Sequence, residues 1–142
     1  MTAEEIQVKF IGPDSIGFSE VVQLFDEDPL NRENVLIRTT CLGDCIVCSE
    51  ENYFEALLCL RKQLEEKGVQ ICCLGAGENI YPSQMQQSMG TGRVANTLVL
   101  GERPTKDGYV DIFTYSPTVK YVSVKDQLSF FNRWVDSIRN GA

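Results

Sequence analysis

The stretch Glu50 to Lys67 constrains the fold most. Phe54, Leu57, Leu58, Leu60 and Leu64 recur at helical spacing with charges largely opposite, and Gly68 supplies the stop. A helix over these residues must bury one long apolar stripe. What flanks it decides how: Asp44 to Cys48 (DCIVC) and Val69 to Leu74 (VQICCL) are short apolar runs of strand character, the second typical of a central strand. Strand, helix, strand in that order predicts a right-handed βαβ unit. Val35 to Thr39 reads as a further strand that pairs with Asp44 to Cys48 in a hairpin around Gly43.

The remainder alternates in the same manner. Ile6 to Ile11 is a half-buried strand ended by Gly12-Pro13. Phe18, Val21, Val22 and Phe25 fall at helical spacing, so Phe18 to Phe25 reads as a helix stopped by Asp26-Glu27-Asp28-Pro29. Three acids at a helix C-terminus oppose its dipole, which invites another explanation for them. Beyond Gly75-Ala76-Gly77, Pro82-Ser83 opens a short helix to Met89, with Ser83 as N-cap and Gly90 as its close. Thr97 to Leu100 and Val110 to Tyr115 read as strands joined by the loop Gly101 to Gly108, and Tyr121-Val122 as an edge strand. Ser123, with Asp126 three positions on, caps a last helix whose expected buried face is Leu128, Phe131, Trp134, Val135 and Ile138. The expectation is one α/β domain over residues 1–142, a mixed sheet with helices packed on it and a βαβ unit within.

Function is bounded first by an absence: the chain has no histidine, yet six cysteines. Without imidazole there is no Ser-His-Asp or Cys-His relay and no histidine metal ligand. Met1 to Val8 has no basic segment and no apolar core, so nothing resembles a signal peptide, and no apolar run approaches the roughly 20 residues of a membrane span. The expected location is the cytoplasm, where Cys41, Cys45, Cys48, Cys59, Cys72 and Cys73 read chiefly as buried reduced thiols. The spacing Cys41-x3-Cys45-x2-Cys48 formally matches an iron-sulfur loop. Strand character at Ile46-Val47 instead points Cys45 and Cys48 to opposite faces, and no cofactor or metal is expected. Gly75-x-Gly77 lacks the third glycine of a dinucleotide loop, with Ile80 in its place, and reads as a turn.

Charge is distributed unevenly. Residues 1–60 carry twelve acids and three bases, a net of −9; residues 61–142 carry ten bases and eight acids, a net of +2. An acidic chain is a poor direct binder of nucleic acid or of an anionic membrane. Two readings of the acidic half stand side by side: a solvated face, or a surface complementary to a basic partner. In the second, the binding residues are Asp26, Glu27, Asp28, Glu33, Glu50 and Glu51.

An ordered set of motifs occupies the C-terminal half: Asn79-Ile-Tyr81-Pro82-Ser83-Gln-Met85, Met89-Gly90-Thr-Gly92, Asp111-Ile-Phe113, and Val124-Lys-Asp-Gln127 ahead of Phe131 and Trp134. This set resembles a family of small cytoplasmic immunity proteins of polymorphic toxin systems, including those of contact-dependent growth inhibition. The resemblance implies a non-catalytic protein that neutralises one cognate toxin C-terminal domain, commonly a nuclease, by occluding its active site. A nuclease needs a basic phosphate-binding cleft, and an inhibitor that presents carboxylates imitates the phosphates. The alternatives are a small thiol- or carboxylate-dependent enzyme centred on Cys45, Cys48 or the Gly75 to Tyr81 loop, and a subunit of a larger assembly.

Overall fold

The computed structural model describes residues 3–140. Met1, Thr2, Gly141 and Ala142, which belong to the expected 1–142 domain, lie outside the described residues. Four strands open the chain: β1 (Glu4–Ile11), β2 (Gly17–Phe25), β3 (Val35–Cys41) and β4 (Asp44–Glu50). Helix α1 (Tyr53–Glu66) follows, then β5 (Gln70–Cys72), β6 (Ile80–Tyr81), α2 (Gln84–Ser88), β7 (Val94–Thr97), β8 (Tyr109–Asp111) and α3 (Val124–Asn140). One sheet has the order β4-β3-β2-β1-β5 and a smaller one the order β6-β7-β8. The α/β class and the helices packed on sheet are as expected.

The segment Phe18 to Phe25 corrects the sequence reading, because it is strand β2 and not a helix. Its apolar positions satisfy both periods. Phe18, Val22 and Leu24 also fall on alternate residues, and the β-branched pair Val21-Val22 sits comfortably on a pleated surface. Pairing decides the matter: Phe10 faces Phe18 and Val8 faces Glu20 across the β1–β2 hairpin, and the Phe10 and Phe18 rings stack at 5.4 Å. With no helix there, the dipole objection to Asp26-Glu27-Asp28 disappears.

The strand-helix-strand order around α1 is present, and β4 and β5 run in the same direction. They lie at opposite edges of the sheet, however, and every neighbouring pair is antiparallel, so the sheet is not mixed and β5 is not central. Short connections explain this. Leu42-Gly43 makes a two-residue turn with both φ positive, +51° and +85°, as an I′ hairpin requires. Strands β1 to β4 therefore form a meander with free edges at β1 and β4, and β5 pairs with β1. In the small sheet, β7 and β8 start and end earlier than the expected Thr97 to Leu100 and Val110 to Tyr115. Pairing of Ile80 with Thr97 and of Val94 with Asp111 selects the segments, leaving Val99 and Leu100 exposed. Tyr121 contributes a single bridge to Gly77 rather than a strand.

The core lies between α1 and the inner face of the large sheet. Val8, Phe10, Val22, Leu24, Val35, Ile37, Ile46 and Cys48 meet Phe54, Ala56, Leu57, Leu60 and Leu64. A buried polar hub joins the second half of the chain to this core. Arg61, 1% exposed, donates to the carbonyls of Gly75 (3.2 Å) and Val122 (2.9 Å) and to the Gln127 side-chain oxygen. The Gln127 amide in turn donates to the carbonyls of Gly75, Gly77 and Ile80 at 2.8 to 3.0 Å. Gln127 is the one fully buried residue of α3. The expected buried face of that helix is only half-buried, and Leu128 is 46% exposed, because α3 lies at the periphery. An aromatic chain from Phe54 through Tyr81 and Phe131 to Trp134 holds its outer part.

Candidate partner-binding site

Register brings the six predicted acidic residues to one end of the large sheet. Phe25 pairs with Leu36 and Val35 with Glu50, so the Asp26 to Asn34 loop and the β4–α1 junction at Glu50-Glu51 project from the same end. Asp26, Glu27, Glu33 and Glu51 are exposed and Glu50 is half-buried.

Asp28 differs from the rest. It is 7% exposed and organises the loop: its carboxylate accepts from the Leu30 N–H (2.9 Å) and the Ser49 hydroxyl (2.6 Å). Its backbone N–H donates to the Asn34 carbonyl. The Ser49 and Leu30 bonds hold its carboxyl below the usual carboxylate range. Asp26 also has an internal duty, accepting a 2.8 Å bond from the hydroxyl of buried Tyr53. Burial first, then that carboxylate, push the Tyr53 phenol up. Glu27, Glu33, Glu50 and Glu51 make no internal side-chain hydrogen bond among the described residues. These four side chains are thus left to face solvent or a partner.

A polar groove of about 780 Å³ lies beside this end, walled by Glu50, Glu51, Asn52 and Glu55 on one side and by Gln84, Gln87 and Ser88 of α2 on the other. The acids sit where the helix tolerates them. Asn52 caps α1, its side chain accepting from the Glu55 N–H at 2.9 Å, and the Tyr53 N–H donates to the Thr91 carbonyl at 2.7 Å. Carboxylates around a helix N-terminus are favoured by the helix dipole. Gly92 lets α2 approach, since its φ is +76° and a Cβ there would stand 2.7 Å from Asn52. Sequence reasoning placed neither Glu55 nor the α2 amides in a site. Glu55 is legible four residues beyond Glu51, whereas the amides arrive only through the tertiary contact at Gly92.

The described ion pairs all involve other carboxylates. Arg93 binds both oxygens of Glu4 (2.7 and 2.8 Å) and reaches Asp111 at 3.1 Å, and Lys67 pairs with Asp44. The Arg93 hydrogen bond holds the Glu4 carboxyl down. Among the described residues, Asp26, Glu27, Asp28, Glu33, Glu50, Glu51 and Glu55 have no cation partner within the chain.

Cys48 and Cys59 lie side by side, both accepting from the Gln63 amide at 3.5 Å. On β4, Cys48 points into the core and Cys45 outward, as the strand reading required, and Cys41 is buried on β3. Burial first pushes the thiols of Cys41, Cys48, Cys72 and Cys73 up, Cys73 to about 12. Among the described residues, no cluster of three or more His, Cys, Asp or Glu side chains is arranged to hold a metal. Gly75 and Gly77 belong to a buried 3-10 turn. A Cβ on Gly75 would stand 2.4 Å from Leu57, and one on Gly77 2.6 Å from Val119, so these glycines serve close packing.

The motif residues of the C-terminal half have duties inside the fold. Ser83 and Gln86 close a capping box at α2, Asp111 accepts from Arg93, Tyr81 and Phe131 stack at 4.1 Å, and Gln127 is the hub. Met85 and Met89 are exposed. No helix among the described residues is long and apolar enough to cross a membrane. No family model matches this chain, and a search of curated proteins finds no match.

Proposed function

We propose that this chain is an immunity protein, a non-catalytic cytoplasmic protein that binds and neutralises a cognate antibacterial toxin domain of nuclease type. The observation that carries the reading is the convergence, at one end of the sheet, of seven carboxylates with no cation partner among the described residues. Packing like charges together costs stability through repulsion, and a basic partner offsets that cost while gaining steered encounter. Spaced carboxylates on loop and helix ends occupy a phosphate-binding cleft as the nucleic acid does. The motif resemblance of the C-terminal half supports the same reading. In this division, the second half supplies a scaffold and the first half the contact surface.

Co-expression with the toxin domain encoded immediately upstream tests the proposal. The two proteins are expected to co-purify and the host to grow. Replacing Glu27, Glu33, Glu50 and Glu51 together with Gln should abolish protection without lowering the thermal unfolding temperature, because relief of like-charge repulsion offsets the lost helix-dipole contribution and none of the four carries an internal side-chain bond among the described residues. Absence of both complex and protection overturns the function. Full protection by the quadruple variant overturns the surface.

A further inference from the structure

We propose a second binding site, for a small amphipathic carboxylate, on the outer face of the large sheet around Lys9. The register builds it. Ser19, Lys9 and Cys72 stand side by side across β2, β1 and β5, and the next row on the same face is Gly17, Ile11 and Gln70. Val8 and Phe10 alternate with these residues and face the core, so the Lys9 row points away from α1. Where Ile11 would meet a side chain from β2 there is Gly17, and the missing side chain leaves a notch. A tether closes one side: the Leu74 N–H donates to the Thr114 carbonyl at 2.8 Å, which sets Tyr115 beside β5. The resulting cavity has a volume of about 350 Å³, with Lys9, Ile11, Gly17, Phe18, Cys72 and Tyr115 among its walls. That lies at the small end of the range for ligand pockets, roughly 300 to 1,000 Å³.

The chemistry of the walls selects the ligand. The exposed Ile11 (42%) and Tyr115 (48%) offer apolar surface that a folded chain otherwise hides. The Lys9 ammonium sits 4.2 Å from the Tyr115 ring centroid and is in no ion pair among the described residues. A cation held on a ring face is fixed in place, so a carboxylate arriving there meets a positioned charge. Burial, opposed by Lys9, keeps the Cys72 thiol protonated, so it adds no negative charge. The seven clustered acids lie at the opposite end of β1, and Asp14, in the turn between Ile11 and Gly17, is engaged by the Ile16 N–H at 3.0 Å. An aromatic or branched apolar body filling the Gly17 notch, with its carboxylate on Lys9, satisfies every wall.

The test is an amide-shift NMR titration of the full chain with 3-phenylpropionate, beside its neutral analogue 3-phenylpropanamide. Saturable shifts are expected at Lys9, Ile11, Gly17, Ser19 and Cys72, with the amide binding about tenfold or more weakly, the cost of losing one charge-assisted contact. Lys9→Met should weaken the acid by a similar factor and leave the amide unaffected. Gly17→Val fills the notch, where a Cβ meets only the Phe10 carbonyl at 3.7 Å, and it should abolish binding of both. Absence of saturable shifts at these residues, equal affinity for acid and amide, or undiminished binding by either variant overturns the proposal.

Discussion

Arg61 is a buried cation in no ion pair among the described residues, held by carbonyl dipoles and one amide oxygen. Its Nε has no partner among the described residues, and burial lowers the guanidinium pKa. Such a group is tolerable only while its remaining acceptors stay in place. Gln127→Leu removes one of them and takes one donor from each of three backbone carbonyls, of which Gly75 keeps Arg61 and Gly77 keeps the Ile80 N–H. The variant should lose about 2 kcal/mol or more of unfolding free energy in urea, since depriving the buried guanidinium of an acceptor alone costs about 1 to 3 kcal/mol. A loss below about 1 kcal/mol, the net worth of one ordinary hydrogen bond, would contradict the role assigned to the hub. The buried thiols make a second prediction at this scale. Cys73 ionises near 9 when unfolded and near 12 when folded, so between those values the unfolded chain releases a proton that the fold retains. Raising the pH through that window therefore favours unfolding. The thermal midpoint should fall steadily above about pH 9, and less steeply in Cys73→Ala; parallel curves for the two proteins would sink this account. Burial of Cys73 and the N-cap at Ser83 are legible from local sequence. The role of Gln127 is not, because a polar residue near the start of a helix gives no sign that four elements meet around it.

At the scale of elements, α1, the hairpin around Gly43 and the capping of α2 follow from signals within a few residues of each other: an apolar stripe, a glycine stop, a side-chain cap. The pattern of β2 misleads for a physical reason, since nine residues with apolar groups at both two- and three-residue spacing have no local preference strong enough to resist pairing with β1. The place of β5 at the sheet edge is likewise a property of the whole meander. Leu42 sits at φ +51°, where a bulky residue is strained. Leu42→Asn gives the Asn-Gly pair that I′ turns favour and should stabilise the protein by about 1 kcal/mol in thermal unfolding. Helix α3 is anchored at Gln127 and by the stacking of Phe131 on Tyr81, and farther out the Trp134 indole on the Glu102 carbonyl and Ser137 on the Gly101 N–H tie it to the loop. Hydrogen exchange should thus find amides beyond Trp134 opening locally while those of Leu57 to Leu64 exchange only with global unfolding. Equal protection along both helices would contradict the peripheral packing of α3.

Over the whole molecule, the imbalance of −9 against +2 is legible in the amino-acid sequence, and it marks the half of the chain that carries the acidic end. Which acids belong to a surface is decided by tertiary contacts. Asp26 and Asp28 look like the centre of the patch in sequence, yet Tyr53, Leu30 and Ser49 engage them, while Glu55 joins through the turn of α1. The free carboxylates of Glu27, Glu33, Glu50 and Glu51 are therefore the ones to alter when binding is to be separated from folding. The central claim is electrostatic recognition by this end, and stopped-flow association with the upstream-encoded toxin domain at low and at physiological salt tests it most directly. For the native chain the rate constant should fall by about tenfold or more as salt rises, and the variant with all four residues changed to Gln should start about tenfold slower and lose most of that dependence. Equal rates and equal salt dependence for the two proteins would contradict it.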